Sequence, residues 1–377
     1  MKIAFVSTMV SDSWGGSEEL WKGTALVLRE KGYNIFVNVK EWPEKPKQLI
    51  ELEAAGCIVE RRKYYIQPSI WQKISKKIRL SEKAGGYYDK AAYLKGVNAD
   101  IAVICQGSNQ DGLDWMETCM QVGQKFATIS QAATEALWPQ DATADRLGMA
   151  FTASKMNYFI SQNNLKLTIK QTARSYSNAK VVRNTFNVSY NSDLSYPISS
   201  GQYNLACVGR VQPDAKGQDI LFEVLARDKW KSRPLKINIY GKGPNINSLK
   251  KLAQLWDIVN VVFHGHVANV TQIWEDNQGL ILPSRYEGLP LAVVEASLCG
   301  RISIVTDVAG NTEVIKDGIT GFIAKAPNAE LLDEAMENAW AKRDEWQQMG
   351  NLAKEYIKQH VPEKPEQVFA EELISLI

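Results

Sequence analysis

The chain has 377 residues, of which 45% are hydrophobic and 23% charged, with a formal net charge of +2. That length exceeds what one hydrophobic core usually serves and sets an expectation of two domains, while the small net charge excludes a nucleic-acid partner recruited by bulk electrostatics. Five scattered cysteines without a Cys-x-x-Cys pair fit buried thiols in a reducing cytoplasm, and no apolar run reaches the ~18 residues of a bilayer span.

The first apolar run, IAFVS at residues 3–7, is too short for a signal sequence and suits a buried strand. It leads through TMVSDSWGGSEELW, where Gly15 and Gly16 precede Ser17, a good N-cap residue. A helix amino end with bare amides is expected there, facing a cleft. Leu20, Thr24, Val27 and Leu28 keep helical spacing, and Gly32 stops the helix after Lys31. Similar apolar runs follow at NIFVNV (34–39), IAVIC (101–105), ACVGRV (206–211), KINIYG (236–241), VVFHG (261–265), GLILP (279–283) and ISIVTDV (302–308). Short runs undiluted by polar alternation fit parallel strands covered on both faces, and their alternation with amphipathic segments predicts doubly wound α/β structure. Ligands of such sheets bind at the carboxyl ends of the strands.

Residues 61–83 carry eight Lys or Arg against one Glu, and Ile70, Ile74 and Ile78 stripe one helix face. That pattern predicts a basic amphipathic helix, either lying on an anionic membrane leaflet as a peripheral contact or packed on the domain by its isoleucines. After the fourth strand, Asp111 and Asp114 in QGSNQDGLDW are candidates for an acceptor contact or a base. Residues 189–203 are rich in Ser, Asn and Tyr and read as a linker. It separates a first domain, 1–188, from a second, 204–363, and residues 364–377 form a last amphipathic helix able to pack back on the first domain.

In the second series Arg210 ends a strand, and Lys216 follows a short loop later; two cations at the cleft can neutralise a diphosphate. Lys242, in a Gly-Lys-Gly turn, is a further candidate cation for the same ligand. The stretch SRYEGLPLAVVEASLCG, residues 284–300, places Glu287 and Glu295 on either side of an apolar run. Pro290 suits the first turn of a helix and Gly300 its end. The amides of Gly288, Leu289 and Leu291, beside Pro290, then lie at a positive helix terminus suited to phosphate. Glu295 falls about 8 Å along that helix, placed to grip neighbouring ribose hydroxyls, with Glu287 reaching sugar hydroxyls on the other side of the phosphates.

This stretch, with VTDVAGNTEVIKDGITGFI after it and VGRVQPDAKGQDILFEVL, IYGKGP and FHGHV before it, closely resembles the retaining glycosyltransferases of the GT-B fold, glycosyltransferase family 4. The pair of glutamates eight positions apart is similar to that family's donor signature. The resemblance implies two Rossmann-like domains facing across a cleft. It also implies that Arg210 and Lys216 bind the donor diphosphate, that Val267 pairs with the base through its backbone, and that the Gly15–Gly16 loop closes over the diphosphate and sugar. Glu287, Arg210 and Lys216 are the expected catalytic residues. The activity it implies is transfer of a hexose, taken here as glucose from UDP-glucose, to a saccharide or lipid-linked saccharide acceptor in polysaccharide or glycolipid synthesis on the cytoplasmic side. The alternatives are a GDP-mannose or UDP-N-acetylglucosamine donor, or a non-catalytic nucleotide-sugar sensor. No Asp-x-Asp occurs, so no metal or other cofactor is expected.

Overall fold

A computed structural model describes residues 1–10, 12–63, 88–198 and 201–377. Each of the eight apolar runs is a strand. In the first domain β1 (Lys2–Ser7), β2 (Asn34–Lys40), β3 (Ile58–Arg62), β4 (Ile101–Gln106), β5 (Phe126–Ser130), β6 (Asn157–Phe159) and β7 (Ala179–Val181) form one sheet in the order β3-β2-β1-β4-β5-β6-β7. In the second, β8 (Tyr203–Val208), β9 (Leu235–Tyr240), β10 (Val261–Gly265), β11 (Gly279–Leu282), β12 (Ile302–Thr306) and β13 (Gly321–Ala324) pair as β10-β9-β8-β11-β12-β13. Neighbours within both sheets run parallel. The strands are apolar throughout because helices cover both faces: β4 and β5 are buried at every residue.

The winding direction reverses between β1 and β4 in one sheet and between β8 and β11 in the other. A doubly wound sheet opens a crevice at its reversal, beyond the carboxyl ends of the strands. The loops leaving β1, β4, β8 and β11 therefore frame the space between the domains. One apolar cluster runs through both units, from Ile3, Trp21 and Phe369 to Val293 and Trp274. The change of sheet falls between Val181 and Tyr203, a stretch without helix or strand among the described residues. The last helix, Pro365–Ile374, returns to the first domain. Its Glu366 carbonyl accepts from Thr24 Oγ1 at 3.2 Å, and Phe369 meets the Tyr158 ring edge to face, 4.9 Å between centroids.

Three expectations change in detail. The first helix is Gly16–Glu30, and its N-cap is the extended Gly15 rather than Ser17, which lies inside the first turn; Gly32, at φ +87°, ends it as expected. The helix expected over 290–299 spans Leu291–Leu298, with Pro290 at the N-cap. Arg61 and Arg62 belong to β3, not to a basic helix. Arg62 is buried. It donates to Asn38 Oδ1 at 2.6 Å and to the carbonyl of Ser7, tying the carboxyl ends of β1, β2 and β3 together. The rest of the basic amphipathic segment, residues 64–83, lies outside the described residues.

Candidate active site

The second-domain half of the site is built by backbone contact between loops. Gly217 sits at φ +64°, and a Cβ there would lie 1.9 Å from the Pro283 carbonyl oxygen, so only glycine lets the loop after β8 press against the loop after β11. That approach brings Lys216, at the end of a one-turn helix, onto Glu287: Lys216 Nζ donates to Glu287 Oε1 at 2.5 Å, and Ser284 Oγ donates to the same oxygen at 2.7 Å. Glu287 is only 8% exposed. The fork of Arg285 on Asp219, at 2.7 and 2.8 Å, with a further bond to the Pro213 carbonyl, fixes the loop from the other side. Gly288 to Leu291 continue into the amino end of the helix Leu291–Leu298, whose first amides point out of a positive terminus.

The first domain closes on this surface. Arg210 reaches Asp12, in the loop after β1, at 2.5 Å across the cleft. A Cβ on Gly16 would lie 2.9 Å from Leu291 Cδ1, and one on Gly288 would lie 1.9 Å from the Gln131 carbonyl oxygen. Farther along the seam Arg183 donates through both Nη atoms to Glu313 Oε2, each at 3.0 Å. The Asn163 amide, in the first turn of the helix Gln162–Thr172, donates to the other oxygen of that carboxylate.

The structure thus brings Gly16, Arg210, Lys216, Glu287 and Gly288 to Leu291 to one mouth, with Gly15 directly before Gly16. Glu295 is 3% exposed and is held from the end of the first domain. Its Oε1 accepts from the Asn187 backbone amide at 3.0 Å and from Asn187 Nδ2 at 2.9 Å. Burial pushes its carboxyl above the usual range, and the two donors from Asn187 pull it part of the way back. Lys242 is exposed, and its carbonyl accepts from the Val211 amide, while the Gly241 amide donates to the Gly265 carbonyl at 2.7 Å. These bonds line up the turns after β8, β9 and β10, and Val267 packs partly buried behind them. Asp111 closes its own turn by accepting from the Ser108 amide at 2.7 Å, and burial raises its carboxyl. Asp114 is exposed and pairs with Lys90 at 2.8 Å. Sequence reasoning did not single out Asp12, Gln131, Asn187 or Ser284. Only Ser284 carries a local signal, three residues ahead of Glu287.

Two facing Rossmann-like domains with a helix-terminus site at the cleft define the GT-B fold, and solved structures agree. Anabaena Alr3699/HepE in complex with UDP superposes over all of both chains with a TM-score of 0.75 at 15% identity. At that identity the likeness is one of fold. Residues 192–356 match the family described as Glycosyl transferases group 1, so the second domain is of the group 1 glycosyl transferase type. Among curated relatives, a D-inositol 3-phosphate glycosyltransferase of Gordonia bronchialis is 27% identical over 165 residues, 40% of this chain and 36% of that protein. An N,N'-diacetylbacillosaminyl-diphospho-undecaprenol alpha-1,3-N-acetylgalactosaminyltransferase of Campylobacter jejuni is 34% identical over 74 residues, 20% of each chain. The matched stretches span little more than a third of these relatives at most.

Proposed function

We propose that the chain is a retaining glycosyltransferase of family 4 that moves a hexose, glucose from UDP-glucose, to a saccharide or lipid-linked saccharide acceptor. The observation that carries this reading is the Lys216–Glu287 pair at the foot of the helix Leu291–Leu298, with Arg210 in the loop two residues beyond the adjacent strand β8. A diphosphate leaving group needs positive charge and fixed donors where its own charge grows, and a mouth shut against water makes each of them count for more. Arg210, Lys216 and the helix amides meet that need. Glu287, held by Lys216 and Ser284, has an orientation suited to accepting from sugar hydroxyls. Glu295, anchored through one oxygen, keeps the other for the ribose. In this scheme the glycosidic bond to the diphosphate breaks as the acceptor oxygen arrives on the same face, and the departing phosphate takes the acceptor proton. The two cations and the helix terminus already offer the diphosphate its counter-charge, so we propose turnover without added metal.

The UDP donor is supported by the HepE complexes, solved with UDP and with UDP-glucose, and a lipid-linked acceptor by the name of the Campylobacter relative. We also propose a cytoplasmic location, with peripheral membrane contact through the part of the basic segment 61–83 that follows β3. No helix of the described residues is long and apolar enough to cross a membrane. The test is nucleotide release from UDP-glucose, GDP-mannose and UDP-N-acetylglucosamine, each with and without EDTA and with saccharide and lipid-linked acceptors. UDP release from UDP-glucose, unchanged by EDTA and lowered about 10²-fold in Lys216→Ala and Glu287→Ala, is the expected result. Nucleotide binding without turnover on every pairing overturns the enzymatic reading.

A further inference from the structure

Where Gly288 meets the first domain, several polar side chains are sealed from solvent without a partner. Gln131 Nε2, Asn164 Nδ2, Asn184 Oδ1 and Asn311 Oδ1 have no hydrogen bond among the described residues, and none of the four residues is more than 7% exposed. A buried amide left unpaired is costly and uncommon, so a place where several gather points to a ligand that pairs them.

Their chemistry is specific. Asn184 Nδ2 donates to Gln131 Oε1 at 2.8 Å, which leaves over the NH2 of Gln131, with two donors, and the carbonyl of Asn184, held together as a unit. Asn164 adds a second NH2. Phosphate oxygens only accept, and would find the Asn184 carbonyl repulsive; a hydroxyl both donates and accepts, and suits the mixture. The position is also specific. Gly288 packs on the backbone carbonyl of Gln131, and Asn164 Nδ2 lies 3.6 Å from the place a Cβ would take on Gly288. The amides therefore flank, from the first domain, the loop that carries Glu287.

We propose that Gln131, Asn164 and Asn184 read hydroxyls of the donor's sugar from the side opposite Glu287, so that the sugar is recognised by both domains and the nucleotide by the second domain. This rests on the nucleotide-sugar reading above. The test uses the full chain with UDP and UDP-glucose, titrated by calorimetry, in Gln131→Met and Asn164→Leu, which keep volume and remove the amide. UDP-glucose should bind about fivefold to tenfold more weakly in each variant while UDP binding stays within about twofold. Unchanged UDP-glucose affinity, or equal weakening of UDP and UDP-glucose, overturns the proposal in favour of a structural role. Thermal melting of each variant with UDP bound shows whether the fold survives, and Asn184→Leu supplies an independent third measurement where one of the others does not fold. Failure of the unaltered chain to bind UDP overturns the nucleotide-sugar reading itself, and this inference with it.

Discussion

Replacing Gly288 by alanine separates the contribution of domain contact from that of nucleotide binding. The backbone of Gly288 is not in the left-handed region, and the three atoms nearest an added Cβ all belong to the first domain: the Gln131 carbonyl oxygen at 1.9 Å, its carbon at 3.1 Å and Asn164 Nδ2 at 3.6 Å. The tightest obstacle to the methyl group is therefore the first domain's Gln131 carbonyl. An ordinary C···O contact is about 3.3 Å, so the seam must open by roughly 1.4 Å at this point. Misplacing reacting groups by about 1 Å costs on the order of 10²-fold in rate. Gly288→Ala should therefore release UDP from UDP-glucose about 10²-fold more slowly, with UDP affinity by calorimetry within about threefold of the parent. A parental rate in a variant that melts normally would refute the reasoning, because it would mean that turnover does not require Gly288 to seat on Gln131.

Other outcomes follow from single contacts. Asp12→Asn removes the carboxylate that faces Arg210 across the cleft; for a half-exposed pair the gain is modest, and UDP should bind about 1.5–5-fold more tightly in a titration. Weaker binding would show that Asp12 assists the nucleotide. Glu295→Ala leaves both donors of Asn187 without their acceptor, and unfolding by denaturant should show a loss of about 1–3 kcal/mol; an unchanged midpoint counts against the contact. Burial raises the Glu18 carboxyl to about 7 from an ordinary value of 4.5. The folded chain then holds that proton more tightly than the unfolded one, a contribution fully present below the unfolded value and lost as pH rises through 7, in all about 3 kcal/mol. Glu18→Gln should accordingly gain stability over the parent at about pH 8.5 relative to about pH 5, and a difference that does not vary with pH would refute it.

The fold was legible wherever a strand is an unbroken apolar run of about five residues. Of the five missed strands, GFIA (β13) is only four residues long, and the other four depart from an unbroken apolar run for a physical reason. IVERR is the edge strand β3 and is apolar only at its first two residues, with three charged residues after them. FATIS buries Thr128, whose hydroxyl donates to Asn157 Oδ1 at 2.9 Å. NYF and AKV are three residues long. The second-domain half of the site was legible because its parts are local: a helix start after Pro290, a glycine that admits a close approach, and cations at strand ends. The first-domain half was not. Asp12, Gln131 and Asn187 are ordinary loop residues by composition, and their positions against Arg210, Gly288 and Glu295 are set by how two separately folded sheets meet.

The return of the helix Pro365–Ile374 to the first domain means that the backbone passes between the two units twice, once through residues 182–202 and once through residues 359–364. A body held at two points keeps one easy rotation, about the line that joins them. Opening of this enzyme-like jaw is thereby restricted to a single swing, and each shutting returns the same pairs of atoms to register.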